Sequence, residues 1–231
     1  MNQIASTAIL KENVKIGDNV IIKDFVVIYP GVVIEDNVEI MEGAIIGRIP
    51  KGAKATARKT IDEFKTVKIG NGTVISPHAV IYTDVSIGQG TLIGDGASIR
   101  EGCVIGDNCI ISRYVTVNYD TVIGDRAKIM DNTHITGRAK IGNDVFISVN
   151  VSTVNDNLFG KAGFNDNIEG QIIKDFVSVG PGVILLSSIS IGRSSIITGG
   201  SVVKKDFPDS VIISGNPAKI VNRVPSAIKR E

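Results

Sequence analysis

An all-β solenoid of stacked parallel coils is the fold this 231-residue chain predicts, on three observations. A branched aliphatic residue recurs at every sixth position, and through the centre of the chain a glycine follows it at every third recurrence. Aromatics make up only 5% of residues, with no Trp. A period of six matches neither the helical period nor strand alternation, but it does match one side of a repeating coil. A core of Ile and Val with few rings suits a narrow prism better than a globular interior.

The beat opens with Ile4, Leu10, Ile16, Ile22, Ile28, Ile34, Ile40 and Ile46. Residues 47–68 interrupt it, and interruptions of a repeat map to loops that often carry function. This one is basic, with Arg48, Lys51, Lys54, Arg58, Lys59 and Lys65, and is read as a solvated loop, with a diphosphate ligand as the alternative. The longest run follows: Ile69, Ile75, Ile81, Ile87, Ile93, Ile99, Ile105, Ile111, Val117, Ile123, Ile129, Ile135, Ile141 and Ile147. Within it Gly70, Gly88, Gly106, Gly124 and Gly142 stand 18 apart. Three hexads therefore make one turn of a triangular prism, and successive turns pair as parallel strands about 4.8 Å apart. The glycines are expected at corners needing a backbone torsion disallowed to most residues.

A second interruption, residues 154–171, precedes Ile173, Val179, Leu185, Ile191, Ile197 and Val203. The hexads amount to about nine coils in a repeat domain spanning 1–205. Residues 206–231 are expected to form an extended, turn-rich tail ending in a short helix. Cys103 and Cys109 share a register with Val85, Thr91, Ala97, Thr121 and Ala139, so both are read as buried structural thiols rather than a disulfide or metal pair.

Net charge is +1, which provides no field for nucleic acid or an anionic membrane. No apolar run approaches the roughly 20 residues of a membrane span. The opening MNQIASTAIL lacks the basic start and apolar core of a signal peptide, so a cytoplasmic protein is expected.

Stacking the sequence at 18 residues per coil aligns Ser98, Thr116, His134 and Ser152. The following columns bring Arg100, Glu101, Asn118, Tyr119, Asn155 and Asp156 to one edge, where the second interruption begins. His134 lies between inward Thr133 and Ile135, so its imidazole should face outward, where it would move a proton near neutral pH. His78 has no carboxylate column beside it and is read as a surface residue. The Gly-x-Gly pairs at Gly70 and Gly88 recur with the coil and open no helix, against a dinucleotide fold. Two histidines in all fall short of a three-histidine zinc site, and no metal is expected.

The Ile-Gly hexads together with GGSVVKKDFP and SGNPAKI resemble the hexapeptide-repeat acyltransferases over essentially the whole chain. The stretch IGDGASIREG…VNYDTVIGD…DNTHITG…VFISVNVSTVNDN resembles the branch that N-acetylates nucleotide-linked amino sugars for surface glycans. The resemblance implies a left-handed parallel β-helix, a homotrimer with sites between subunits, and acetyl-CoA as donor. It also implies that the loop beginning at Asn155-Asp156 lies at the substrate pocket, beside the edge where the stacked columns place His134 as proton acceptor and Arg100, Glu101, Asn118 and Tyr119 around the acceptor. CoA is then expected along the C-terminal coils, against Gly180, Gly199, Gly200 and Ser201, with Lys204, Lys205 and Lys219 for its phosphates. Where some sugar N-acetyltransferases carry a histidine, this chain has Asp95. No α/β domain accompanies the repeat, so a fused nucleotidyltransferase activity is not expected. Transfer to a hydroxyl or another small acceptor, and a non-catalytic binding solenoid, are the competing readings.

Overall fold

The computed structural model of the chain describes residues 1–229 except 55, 57, 162 and 164–167. It is a parallel β-helix with three faces, forming sheets of 12, 10 and 9 strands. The first face runs from Gln3–Ile4 to Val211–Gly215, the second from Ile9–Leu10 to Val202–Val203, and the third from Lys15–Ile16 to Ser190–Ile191. Most strands are two residues long because each side of the triangle needs only one inward and one outward residue between corners.

The register is 18 residues per coil through the centre: Ser98 pairs with Thr116, Thr116 with His134, and Ile99 with Val117. The hexad anchors point inward. Ile99, Val117, Ile135, Leu185 and Val203 line the second face with no exposed surface. Full burial of such a side chain stabilises by about 1.5–3 kcal/mol, so the stacked anchors supply the core.

Three expectations change. The longest face carries eleven parallel rungs, not the nine implied by counting aliphatics. One rung missed by the count lies on the second face, at Ser152–Thr153, whose inward residue is polar and therefore silent in a hydrophobic count. Thr153 is accommodated because its hydroxyl accepts from Thr136 N (2.7 Å) and donates to His134 O (3.1 Å). The other is Val211–Gly215, which rejoins the first face after a seven-residue break by pairing with Ile196–Ile197.

The tail is not helical beyond a single 3-10 turn, Ser226–Ile228. Ala218–Arg223 instead folds back antiparallel on Val211–Gly215, as its β-branched Ile220 and Val221 favour.

The glycine column has a different cause from the one expected. Gly70, Gly88, Gly106, Gly124 and Gly142 do not have positive φ. They are small because the next coil crowds them: a Cβ on Gly124 would lie 2.6 Å from Asn143 Oδ1 and 2.8 Å from the Gly142 carbonyl carbon. That oxygen belongs to a ladder running up the corner. Asp107 accepts from Gln89 N (2.9 Å), Asp125 from Asp107 N (2.9 Å), Asn143 from Asp125 N (2.7 Å) and Asp175 from Asn143 N (2.8 Å). The left-handed residues come two positions later, at Gly72, Gly90, Asn108, Arg126 and Asp144.

Both cysteines are free and buried. Cys103 Sγ donates to Asn118 O (3.0 Å) and Cys109 Sγ to Gly124 O (3.1 Å). Thr73, Thr91 and Thr121 make the same bond to the carbonyl fifteen residues on. The register thus selects small residues, several of them donors to a corner carbonyl. Burial pushes the Cys103 thiol up to about 12, so it is no nucleophile.

Candidate active site at one corner of the prism

Both interruptions leave from the same corner. The strand Ile45–Arg48 ends the second face before residues 47–68, and Ser152–Thr153 ends it before 154–171; each segment returns onto the third face, at Val67–Ile69 and Ile172–Ile173. Between them, the ordinary corners of four intervening coils present Tyr82, Arg100-Glu101, Asn118-Tyr119-Asp120 and Gly137-Arg138.

Glu101 is the pivot. Its carboxylate is completely buried and holds two arginines: Arg58 Nη1 at 2.8 Å on Oε1, and Arg100 at 2.8 Å (Nε to Oε2) and 3.0 Å (Nη2 to Oε1). Burial alone would raise its pKa, but hydrogen bonds from Arg100 and the backbone and the charge of Arg58 outweigh it, so it stays an anion below the usual range. A buried carboxylate so committed is an anchor, not a proton acceptor.

Arg58 comes from the first interruption, read above as solvated, and that expectation is overturned at this residue. Besides Glu101 it reaches Asp120 (Nη2 to Oδ2, 3.1 Å) and lies 3.6 Å over the Tyr119 ring. Asp120 is approached from the other side by Arg138 (3.9 Å), and Arg138 Nη1 donates to Ile168 O (3.1 Å) in the second interruption. A chain of charge, Arg58–Asp120–Arg138, therefore ties the two loops across the corner. Arg48 and Arg100, from the coils before and after it, both lie over the Tyr82 ring, at 5.1 and 5.0 Å from its centroid.

Of the residues expected at the edge, Arg100, Glu101, Tyr119 and Asn155 are brought together, the last by Asn155 Nδ2 donating to Tyr119 OH at 3.5 Å. Asn118 is half-buried beside them. Asp156 turns back into its own loop, accepting from Leu158 N (2.7 Å) and Gly160 N (2.5 Å), which holds its carboxyl below the usual range. His134 stands on the second face, two residues before the corner. Its Nδ1 is 2.7 Å from Thr116 Oγ1, and burial lowers its pKa, favouring the neutral ring. When Nδ1–H donates to Thr116, the lone pair is left on Nε2.

Arg58, Tyr82, Asp120 and Arg138 were missed as site residues. Asp120 and Arg138 were legible, since they stack at 18-residue spacing with Gly102, in the column next to that of Glu101 and Tyr119; Arg58 was not, because a loop has no register.

The residues expected to hold CoA fall on two corners. Gly180 and Gly199–Gly200 stack on the corner between the first and second faces, where an added Cβ at Gly180 would lie 2.5 Å from Gly199 N. Gly200 has φ +69 and open space around it. Ser201 is buried, donating to Thr198 O (2.7 Å) and accepting from Gly215 N (3.2 Å). Lys204 and Lys205 are exposed at the corner of the candidate site, and Lys219 is exposed on the returning strand. The described residues include no group of metal-binding side chains, and no helix among them is long and apolar enough to cross a membrane.

The chain spans about a quarter of the length of the first curated relatives it matches. It is 40% identical over 58 residues, 25% of each chain, to a 2,3,4,5-tetrahydropyridine-2,6-dicarboxylate N-acetyltransferase of Clostridium perfringens. Among solved structures, an Arabidopsis UDP-N-acetylglucosamine acyltransferase superposes with a TM-score of 0.75 at 19% identity, over 95% of this chain and 74% of that one. A UDP-N-acetylglucosamine acyltransferase from Bacteroides fragilis gives 0.65 at 26% identity, over 96% and 74%. The family model described as bacterial transferase hexapeptide (six repeats) matches residues 2–48, 66–99, 84–118 and 120–152, skipping most of the first interruption and ending before the second. With more than half its length under that model and the coil geometry to match, the chain belongs to the bacterial transferase hexapeptide family.

Proposed function

We propose that the protein transfers an acetyl group from acetyl-CoA to the amine of a nucleotide-linked amino sugar destined for a surface glycan. The observation that carries this reading is His134, held neutral beside Thr116 at the rim of a corner crowded with arginines and a buried carboxylate. The amine attacks the thioester carbonyl, and the charge that develops on its oxygen is taken by a main-chain amide at the coil edge. Nε2 of His134 accepts the proton that the nitrogen sheds as it becomes an amide; the tetrahedral adduct collapses by breaking its C–S bond, and the departing CoA thiolate takes up that proton to leave as the free thiol. Glu101 fixes Arg100 and Arg58, while Asn118, Tyr119 and Asn155 orient the sugar. Because a free amine is already a good nucleophile, much of the acceleration comes from alignment. Acetyl-CoA lies along the C-terminal coils, its pantetheine near Gly180 and Gly199–Gly200 and its phosphates near Lys204, Lys205 and Lys219. The working unit is a homotrimer in the cytoplasm, where the donor is made.

A half-buried neutral histidine would equally serve a hydroxyl acceptor, so the deciding experiment is a thiol-release assay. Acetyl-CoA is offered with UDP- and dTDP-amino sugars and, in parallel, with their hydroxyl counterparts. Release only with the amines is expected; release confined to hydroxyl sugars would sink the N-transfer reading.

A further inference from the structure

The first interruption encloses a concavity of about 810 Å³, lined by Tyr29, Arg48 and residues from Ile49 to Phe64. Its charge is strongly one-sided. Arg48, Lys51, Lys54, Arg58 and Lys59 contribute cations, and Asp62 is its one carboxylate among the described lining residues. Arg58 is fully engaged by Glu101 and Asp120. Lys51, Lys54 and Lys59 are exposed, and none has an ion-pair partner among the described residues. Elsewhere in the same loop Lys65 does find one, Asp84 at 3.4 Å. Three like charges gathered in a hollow whose one described carboxylate, Asp62, cannot balance them repel one another, and a bound anion relieves that repulsion.

The hollow also shares its wall with the candidate site. Arg58 lines it and grips Glu101; Arg48 lines it and shares the Tyr82 ring with Arg100. Arg58 spans the corner residues of the rungs carrying Ser98 and Thr116, one to two rungs from His134. At about 4.8 Å per rung that separation along the prism is roughly 5–10 Å, the scale of one sugar unit together with its glycosidic phosphate. Tyr29 and Phe64 stack at the far side, with centroids 5.7 Å apart, and form an aromatic shelf.

From this placement we infer that the hollow lined by Arg48, Lys51, Lys54, Arg58, Lys59 and Phe64 binds the nucleoside diphosphate of the acceptor, with Lys51, Lys54 and Lys59 on the phosphates. This rests on the acceptor being a sugar nucleotide and names where its diphosphate goes. Acetyl-CoA also carries a diphosphate, so the test must separate the two sources.

Titration calorimetry with UDP, dTDP and CoA is run on the wild type and on a Lys51→Ala/Lys54→Ala/Lys59→Ala variant, with thermal melting to confirm folding. The three lysines are exposed, so the melting temperature should hold. The expected result is that UDP or dTDP binds the wild type and binds the variant about ten-fold or more weakly, while CoA binding is unchanged. Equal nucleotide affinity in both proteins, no binding of either nucleotide by the wild type, or a loss falling on CoA would each overturn the assignment. The acetyl-transfer reading fails separately: it falls if no thiol is released, whatever the calorimetry gives.

Discussion

At the scale of single residues, His134 and Glu101 show how two titratable groups at one corner are pushed toward opposite uses. Arginines keep Glu101 charged, whereas burial keeps His134 neutral. Because the folded pKa of His134 lies below its ordinary value of about 6.5, the neutral base persists to lower pH than a free imidazole allows. It is lost only as pH falls through that lowered value. The turnover number should therefore show an acid limb below about pH 6.5, and stability should decline over the same fall because the unfolded chain takes the proton more readily. Replacing His134 with Asn should remove the limb and lower turnover by about a hundred-fold or more. Unchanged turnover and an unchanged profile would take His134 out of the mechanism. His134 was visible in the sequence because outward strand positions are fixed by parity. The Arg58 partnership was not, because nothing in a linear spacing says where an irregular loop lays its side chains.

At the scale of the element, a coil is held by its corners as much as by its strands. The Asp/Asn ladder gives each corner amide an acceptor from the coil above, and the glycine beneath each acceptor makes room for it. This separates two kinds of glycine that look alike in sequence. Gly124 has an ordinary φ and no space, so Gly124→Ala should destabilise by about 1–3 kcal/mol through overlap alone. Gly200 has space and φ +69, so Gly200→Ala should cost only about 1 kcal/mol, in backbone strain. Denaturant midpoints of the two variants measure this, and a Gly124→Ala protein as stable as wild type would refute the crowding argument. The hexad count read the strands well and the corners poorly. Strand faces are set by burial, which hydrophobicity encodes. Corners are set by contacts between residues 18 or more apart, which it does not. Thr153 fell through for the same reason, being an inward residue justified by two hydrogen bonds rather than by greasiness.

Across the whole molecule, stability is nearly one-dimensional, since each coil touches only its neighbours. The first coil is the least buried: of its inward anchors Ile4 is 43% exposed and Leu10 and Ile16 are half-buried, whereas Ile22, Ile28 and Ile34 one coil on are sealed. Backbone amides of Gln3, Ala5 and Ile9, although hydrogen-bonded to the second coil, should therefore exchange with solvent about a hundred-fold faster than those of Ser98, Thr116 and His134. Uniform protection along the prism would contradict a stack of near-neighbour units. The three-faced architecture was legible because it repeats; the departure of both interruptions from one corner was not, since each shifts the numbering that follows it.

That shared corner separates inheritance into two ledgers of sequence. However long a departing segment grows, its ends stay pinned one corner apart by the rungs on either side. By the logarithmic rule for loop closure, stretching a corner of about four residues to about twenty costs only about 1.4 kcal/mol. Pocket walls can thus be lengthened, shortened or exchanged while the strands that align donor and acceptor keep their places. A change of preferred sugar should appear as differences within residues 47–68 and 154–171, written against an unaltered six-residue beat.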